Sequence, residues 1–122
     1  MRINWADHEV LPAEGIALTR RLAFGQEISC LQVIGPESGK LNLPPHWHEN
    51  EQWVVVTAGS VNFECEGKEY ELSAGDVALI PARHRHTATQ VGEQGATLLE
   101  FSAPPRLDLV PGSILPSSMH FD

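Results

Sequence analysis

From residue 60 to residue 66 the chain alternates strictly, with Val61, Phe63 and Cys65 on one side and Asn62, Glu64 and Glu66 on the other. A period of two marks a half-buried strand, because successive side chains of extended chain project to opposite faces. The same pattern, read through the apolar runs between glycines and prolines, predicts strands over 16–24, 27–34, 41–48, 52–57, 60–66, 68–72, 76–80, 86–91 and 96–102. Ten glycines and nine prolines punctuate the chain at intervals too short for most helices. Ala58-Gly59 and Glu66-Gly67-Lys68 read as tight hairpin turns in which glycine takes positive φ. Many short strands with glycine turns predict an all-β fold, a closed barrel or a jelly roll.

Composition narrows the partners. The 122 residues are about one domain, and 8 Lys+Arg against 16 Asp+Glu give a formal charge of −8. So acidic a surface repels nucleic acid and anionic lipid, whose phosphates require clustered Lys and Arg. The best apolar run, Trp53-Val54-Val55-Val56 followed by Thr57 and Ala58, falls far short of the roughly 18 residues of a membrane helix. No membrane insertion is expected. Asp7, His8 and Glu9 stand where a signal peptide would need its apolar stretch, so a cytoplasmic protein is expected. Cys65 shares a face with Val61 and Phe63, reads as a small core residue, and with Cys30 is expected to stay reduced. After Ser102 the composition shifts to Pro104-Pro105, Pro111-Gly112 and Pro116. We therefore expect one domain over 1–122, with a barrel core at about 16–102 and an extended tail over 103–122 along its outside.

The candidate chemistry begins at His46-Trp47-His48, entered through Pro44-Pro45. Residues two apart on a strand share a face, so the two imidazoles project together and Trp47 points away. Gln52 follows four residues after His48, and His86 lies on a remote segment running from Gly75-Asp76 through Pro81 to His84-Arg85-His86. Three imidazoles and one oxygen donor suit a first-row divalent metal with positions left for water or substrate. Trp53 and Phe63 read as core or pocket wall, His84 as pocket mouth or solvated loop, and His8 and His120 as surface residues.

The spacing resembles the two sequence motifs of the cupin superfamily. The first matches His46, His48, Gln52 and Gly59, with Gln52 where glutamate is usual; the second matches Gly75, Pro81 and His86, with Arg83 where a glycine is usual. The resemblance implies a single-domain cupin, a small jelly-roll β-barrel that holds a divalent transition metal (Ni, Zn, Fe, Mn or Co) on His46, His48, Gln52 and His86. It also implies a homodimer paired through N-terminal strands. Glutamine brings a neutral amide oxygen, leaving the full divalent charge on the ion, which favours Lewis acidity over oxygen chemistry. A bulge or a one-residue shift would bring Glu51 to the metal in its place, but the motif spacing favours Gln52.

Residues 46–52 and 100–106 are also similar to KdgF-type cupins, which ketonise 4,5-unsaturated uronates. That resemblance implies Glu100 as the acid/base and Arg106 as the carboxylate anchor, with Ser102 where those enzymes carry an aromatic residue and Glu100 where they carry Asp. Independently, Glu100 in the run Leu98-Leu99-Glu100-Phe101 has a raised pKa if it faces inward, and is a strand-edge carboxylate if it faces water. Arg83, Arg85 and Arg106 near the site suit a small anionic metabolite. Their alternatives are a solvated loop for Arg83 and Arg85, and an ion pair with Asp108 for Arg106. The expected function is ketonisation or isomerisation of a small carboxylated, sugar-acid-like metabolite. An Fe-dependent dioxygenase and a non-catalytic cupin that binds metal or metabolite are the rivals.

Overall fold

Two long strands carry the architecture. In the computed structural model, which describes residues 1–12 and 15–122, they are β4, Glu51–Cys65, and β7, His86–Ala103. Around them lie β1 (Thr19–Phe24), β2 (Ser29–Gly35), β3 (Gly39–Lys40), β5 (Lys68–Ser73) and β6 (Val77–Ile80), every pairing antiparallel. The order is β1-β2-β7-β4-β5, with β3 added on β7 and β6 on β4.

β4 and β7 each serve two layers. The first half of β4 pairs with β6 and with the end of β7, whereas its second half pairs with β5 and with the start of β7. Register shifts between Val56/Ala58, Gly59/Val61 and Asn62/Phe63 are bulges that bend the pair and fold the sheet back on itself. Between the layers the inward positions close a core of Val54, Val56, Val61, Phe63, Val91 and Leu98, each no more than 5% exposed. β2 shows the expected alternation, burying Ser29, Leu31, Val33 and Gly35 in turn.

Several sequence expectations change here. The segments 52–57 and 60–66 are one strand, as are 86–91 and 96–102. Ala58-Gly59 is therefore a bend and not a hairpin: Gly59, at φ +69°, lies against Gly95, at φ +79°, and a side chain on Gly59 would overlap the Gly95 carbonyl. Positive φ serves a bulge as readily as a turn, so the glycine signal fits both. Glu66-Gly67 does make the hairpin, closed by the Cys65–Lys68 pair with φ of 50° and 78°. The predicted strand 41–48 is reduced to single bridges, His46 with His86 and Trp47 with His120, because Pro44 and Pro45 have no N–H to donate. β1 begins at Thr19, so 16–18 precede it.

Trp53, expected in the core or pocket wall, is 43% exposed on the outer face, opposite Leu79 and Phe101. Cys30 and Cys65 are free, and Cys65 packs on the core. Among the described residues no helix is long and apolar enough to cross a membrane.

The C-terminal segment, exposed or half-buried from 107 to 122, runs back to the barrel mouth. It does so after a 3-10 turn at Leu107–Leu109, whose Leu109 packs on the core, and at the mouth Trp47 and His120 exchange two backbone hydrogen bonds of 2.9 Å. Arg85 Nη1 then donates to the carbonyl of Asp122 at 2.8 Å.

The glycine geometry sets an expectation for stability. Gly67 also has positive φ but open space around it, so Gly67→Ala costs about 1 kcal/mol. Gly59→Ala adds an overlap with backbone and costs roughly 2 to 4 kcal/mol. Urea unfolding of both variants measures the difference; equal losses would show that the Gly59–Gly95 contact does not control the bend.

Candidate metal centre

Two segments distant in sequence bring the histidines together. His46 N–H donates to the His86 carbonyl at 3.0 Å and His86 N–H to the His46 carbonyl at 2.8 Å, which locks the two residues side by side. Arg83 N–H donates to the His48 carbonyl at 2.8 Å and holds the second segment against the first. One nitrogen from each of His46, His48 and His86 lies within 4.8 Å of those of the other two.

The backbone also sets which nitrogen faces the centre. Each imidazole directs Nδ1 at a carbonyl two residues away: His46 at Pro44 (3.1 Å), His48 at Asn50 (2.9 Å) and His86 at His84 (2.8 Å). A carbonyl only accepts, so Nδ1 carries the proton and Nε2 keeps its lone pair. His86 Nε2 is buried without a partner among the described residues. Burial lowers the pKa of all three rings, that of His86 to about 4, so they stand neutral at physiological pH, as ligands must.

Gln52 is the candidate fourth donor. On β4 it points inward and is 6% exposed, while Glu51 beside it faces solvent, as strand alternation requires. Its amide Nε2 donates to Glu100 Oε1 at 3.1 Å, which leaves Oε1 2.9 Å from His48 Nε2. Two lone pairs then face each other across a gap that a cation would bridge. An orphaned buried nitrogen, three fixed tautomers and this acceptor pair fit a divalent first-row ion.

Glu100 sits one step deeper, opposite Val54 of β4 and Leu31 of β2, and lines a cavity of about 250 Å³. Burial pushes its carboxyl up to about 7, against the opposing pull of Arg20, Arg106 and the Gln52 hydrogen bond. It faces inward, not toward water at a strand edge.

Arg106 also lines the cavity, but its Nε and Nη2 donate to the two oxygens of Asp108 at 3.0 and 3.1 Å. One bidentate edge, Nε with Nη2, is therefore taken, and the Arg106 charge is paired with that of Asp108. Asp108 also accepts from Ser118 N and Oγ at 3.0 and 3.1 Å, so the cluster ties the tail to the barrel. Arg83 pairs with Glu49 in solvent, Arg85 holds the chain end, and the exposed His84 offers its carbonyl to His86; none of the three lines the cavity.

The structure adds Arg20, which no motif marks. It lines the cavity from β1, donates from Nη2 to the Pro12 carbonyl at 3.0 Å, and has no partner for its buried Nε among the described residues. Its signal in the sequence is phase alone: Arg20 alternates with the inward positions Leu18 and Leu22.

Residues 33–102 match the family model described as the cupin domain. No curated protein matches the chain. Among solved structures, an RmlC-like cupin from Shewanella frigidimarina superposes with a TM-score of 0.75 at 23% identity, covering 88% of this chain and 94% of that one. KdgF from Halomonas sp. gives 0.74 at 24% identity over 88% and 96%. The polyketide cyclase RemF from Streptomyces resistomycificus gives 0.66 at 20% identity over 84% and 78%. At these identities the likeness shows the fold.

The clamp on Arg106 has a pH signature. Burial works against ionisation of Asp108, but the hydrogen bonds from Arg106 and Ser118 outweigh it and bring the carboxyl down to about 2. A depressed folded pKa stabilises above the unfolded value of roughly 3.9 and ceases to do so as pH falls through the folded one. Asp108→Asn is thus expected to lower the urea midpoint at pH 7, with the gap to wild type closing between about pH 5 and pH 2. A gap independent of pH would show that the Asp108 charge contributes nothing.

Proposed function

This chain belongs to the cupin family, and we propose that it is a metal-dependent catalyst of proton transfer, a ketonisation or isomerisation, acting on a small carboxylated metabolite. The observation that carries this reading is the Gln52 amide, which joins the three-histidine cluster to Glu100 through one side chain. Three of the candidate ligands, His46, Gln52 and His86, thus share one cavity with a carboxyl group that is hydrogen-bonded to Gln52.

His46, His48, His86 and Gln52 would hold the ion, which when bound supplies a Lewis acid for an enol or carbonyl oxygen. Glu100 moves the proton. In ketonisation Glu100 gives its proton to the substrate carbon, so that a C–H bond forms as C=C becomes C–C; the enol O–H loses its proton as C–O becomes C=O, and that proton, passed directly or through water, restores the Glu100 carboxyl, so nothing is oxidised. Gln52 Nε2 holds Glu100 Oε1 in place, and Phe63, Leu98 and Val61 keep water from the reacting atoms. Arg106 is paired with Asp108 and anchors the tail beside the cavity. KdgF and a polyketide cyclase among the structural relatives are in keeping with enol or carbonyl chemistry in this fold.

The test loads the protein with Ni, Zn, Fe, Mn or Co in turn and follows 4,5-unsaturated uronates and simpler enol acids by loss of ultraviolet absorbance. Deuterium uptake from D₂O is read alongside. Glu100→Gln keeps the hydrogen bond from Gln52 possible and is expected to lower kcat roughly 100-fold or more with metal content unchanged. Full activity in that variant would remove Glu100 from the chemistry. Oxygen consumption matching substrate loss in the Fe(II) sample would establish the dioxygenase instead.

A further inference from the structure

The inward positions change character with depth. Along the layer formed by the end of β7 they run Gln52, Glu100, Leu98 and Ala96; along the other they run His86, Ala88 and Val91. Both series start polar at the histidine cluster and become wholly apolar toward the bend where Gly59 meets Gly95. Beyond Glu100 and Arg20 the walls are Val33, Leu41, Val61, Phe63, Val91 and Leu98, none with a side chain that can hydrogen-bond. Thr87 is the one hydroxyl lining the cavity among the described residues, and its Oγ1 donates to the Leu43 carbonyl at 3.0 Å and shares the Ala88 carbonyl at 3.3 Å. The strand backbone behind these walls is paired in the ladders.

Such a cavity discriminates against a polyhydroxylated ligand. Each hydroxyl carried past Glu100 would lose water and find no partner, weakening binding roughly tenfold apiece. An aliphatic or aromatic group gains instead from the same walls. The cavity, about 250 Å³, lies below the roughly 300–1,000 Å³ of drug-sized sites and suits a small metabolite.

At the polar end the anion needs a cation not already spent. Arg106 has its charge paired with Asp108, whereas Arg20 gives Nη2 to a neutral carbonyl, has Nε unengaged and, among the described residues, forms no salt bridge, the Glu100 carboxyl being the acid it faces. Arg20 and Glu100 line the same cavity from β1 and β7.

We propose that the ligand is a small acid with an apolar body, its carboxylate held by Arg20 and its aliphatic or aromatic part seated against Val33, Val61, Phe63 and Leu98, in place of a sugar acid. The proposal rests on the preceding reading only for the location of the reacting atoms, and binding tests it separately.

Isothermal titration calorimetry of the purified protein against phenylpyruvate, 4-methyl-2-oxopentanoate, pyruvate and galacturonate gives the ranking. The two apolar acids are expected to bind at least tenfold tighter than galacturonate and tighter than pyruvate. Val61→Thr, nearly isosteric, is expected to weaken phenylpyruvate three- to tenfold and leave pyruvate unchanged. Arg20→Met is expected to weaken every acid tenfold or more, with partial recovery in Arg20→Lys; melting curves confirm folding, and the wild-type ranking stands whether or not the variants fold. Galacturonate bound as tightly as phenylpyruvate, no binding of either apolar acid, or wild-type affinity in a folded Arg20→Met would overturn the proposal. A protein that shows this ranking but turns over none of the acids refutes the proton-transfer reading alone. Turnover of unsaturated uronates with galacturonate bound more tightly than phenylpyruvate refutes the ligand class alone.

Discussion

The pairing of β4 with β7, from Glu51 opposite Ala103 to Cys65 opposite His86, is the constraint on which the remainder depends. Because the pair bends together at its bulges, one strand partnership builds both walls of the barrel and decides what faces inward. It places Gln52 and Glu100 on one wall and His86 at the mouth of the other, and the burial of Val54, Val56, Val61 and Leu98 holds that register. A slip of one residue would turn Gln52 and Glu100 to solvent and bring Glu51 and Phe101 inside, so core packing and site geometry are selected together.

Within that frame the site is preorganised by backbone carbonyls. Three Nδ1–H groups are each held by a carbonyl two residues away, which fixes ring orientation and tautomer without a carboxylate partner. Desolvation keeps the rings neutral, and their donor atoms converge in a geometry that could hold an ion. The charged residues divide their labour. Arg106 and Asp108, with Ser118, fasten the tail, while Glu100 and Arg20 remain turned to the cavity.

Spacing and alternation made the histidines and the all-β class legible, since His46, His48 and His86 are tied to strand period and motif distance. The choice between Glu51 and Gln52 follows from alternation once β4 is known to start at Glu51. Other features depend on contacts between distant segments. Glycine at 59 signals positive φ equally for a hairpin and a bulge, and only the Gly95 neighbour distinguishes them. Whether Arg106 meets a ligand or Asp108 depends on the fold of a proline-rich tail with no periodicity. Arg20 belongs to no motif, and its phase with Leu18 and Leu22 marks it as a cavity residue only once β1 is paired with β2.

The claim that everything functional leans on is that His46, His48, Gln52 and His86 hold a divalent ion. Plasma mass spectrometry of the purified protein, beside a His48→Ala, His86→Ala double variant, measures it directly. The expected result is about one metal per chain in wild type, lost in a variant that still folds, as removal of two imidazole ligands requires. Wild type that holds no metal after incubation with Ni, Zn, Fe, Mn and Co ions, or a double variant that retains it, would contradict the account.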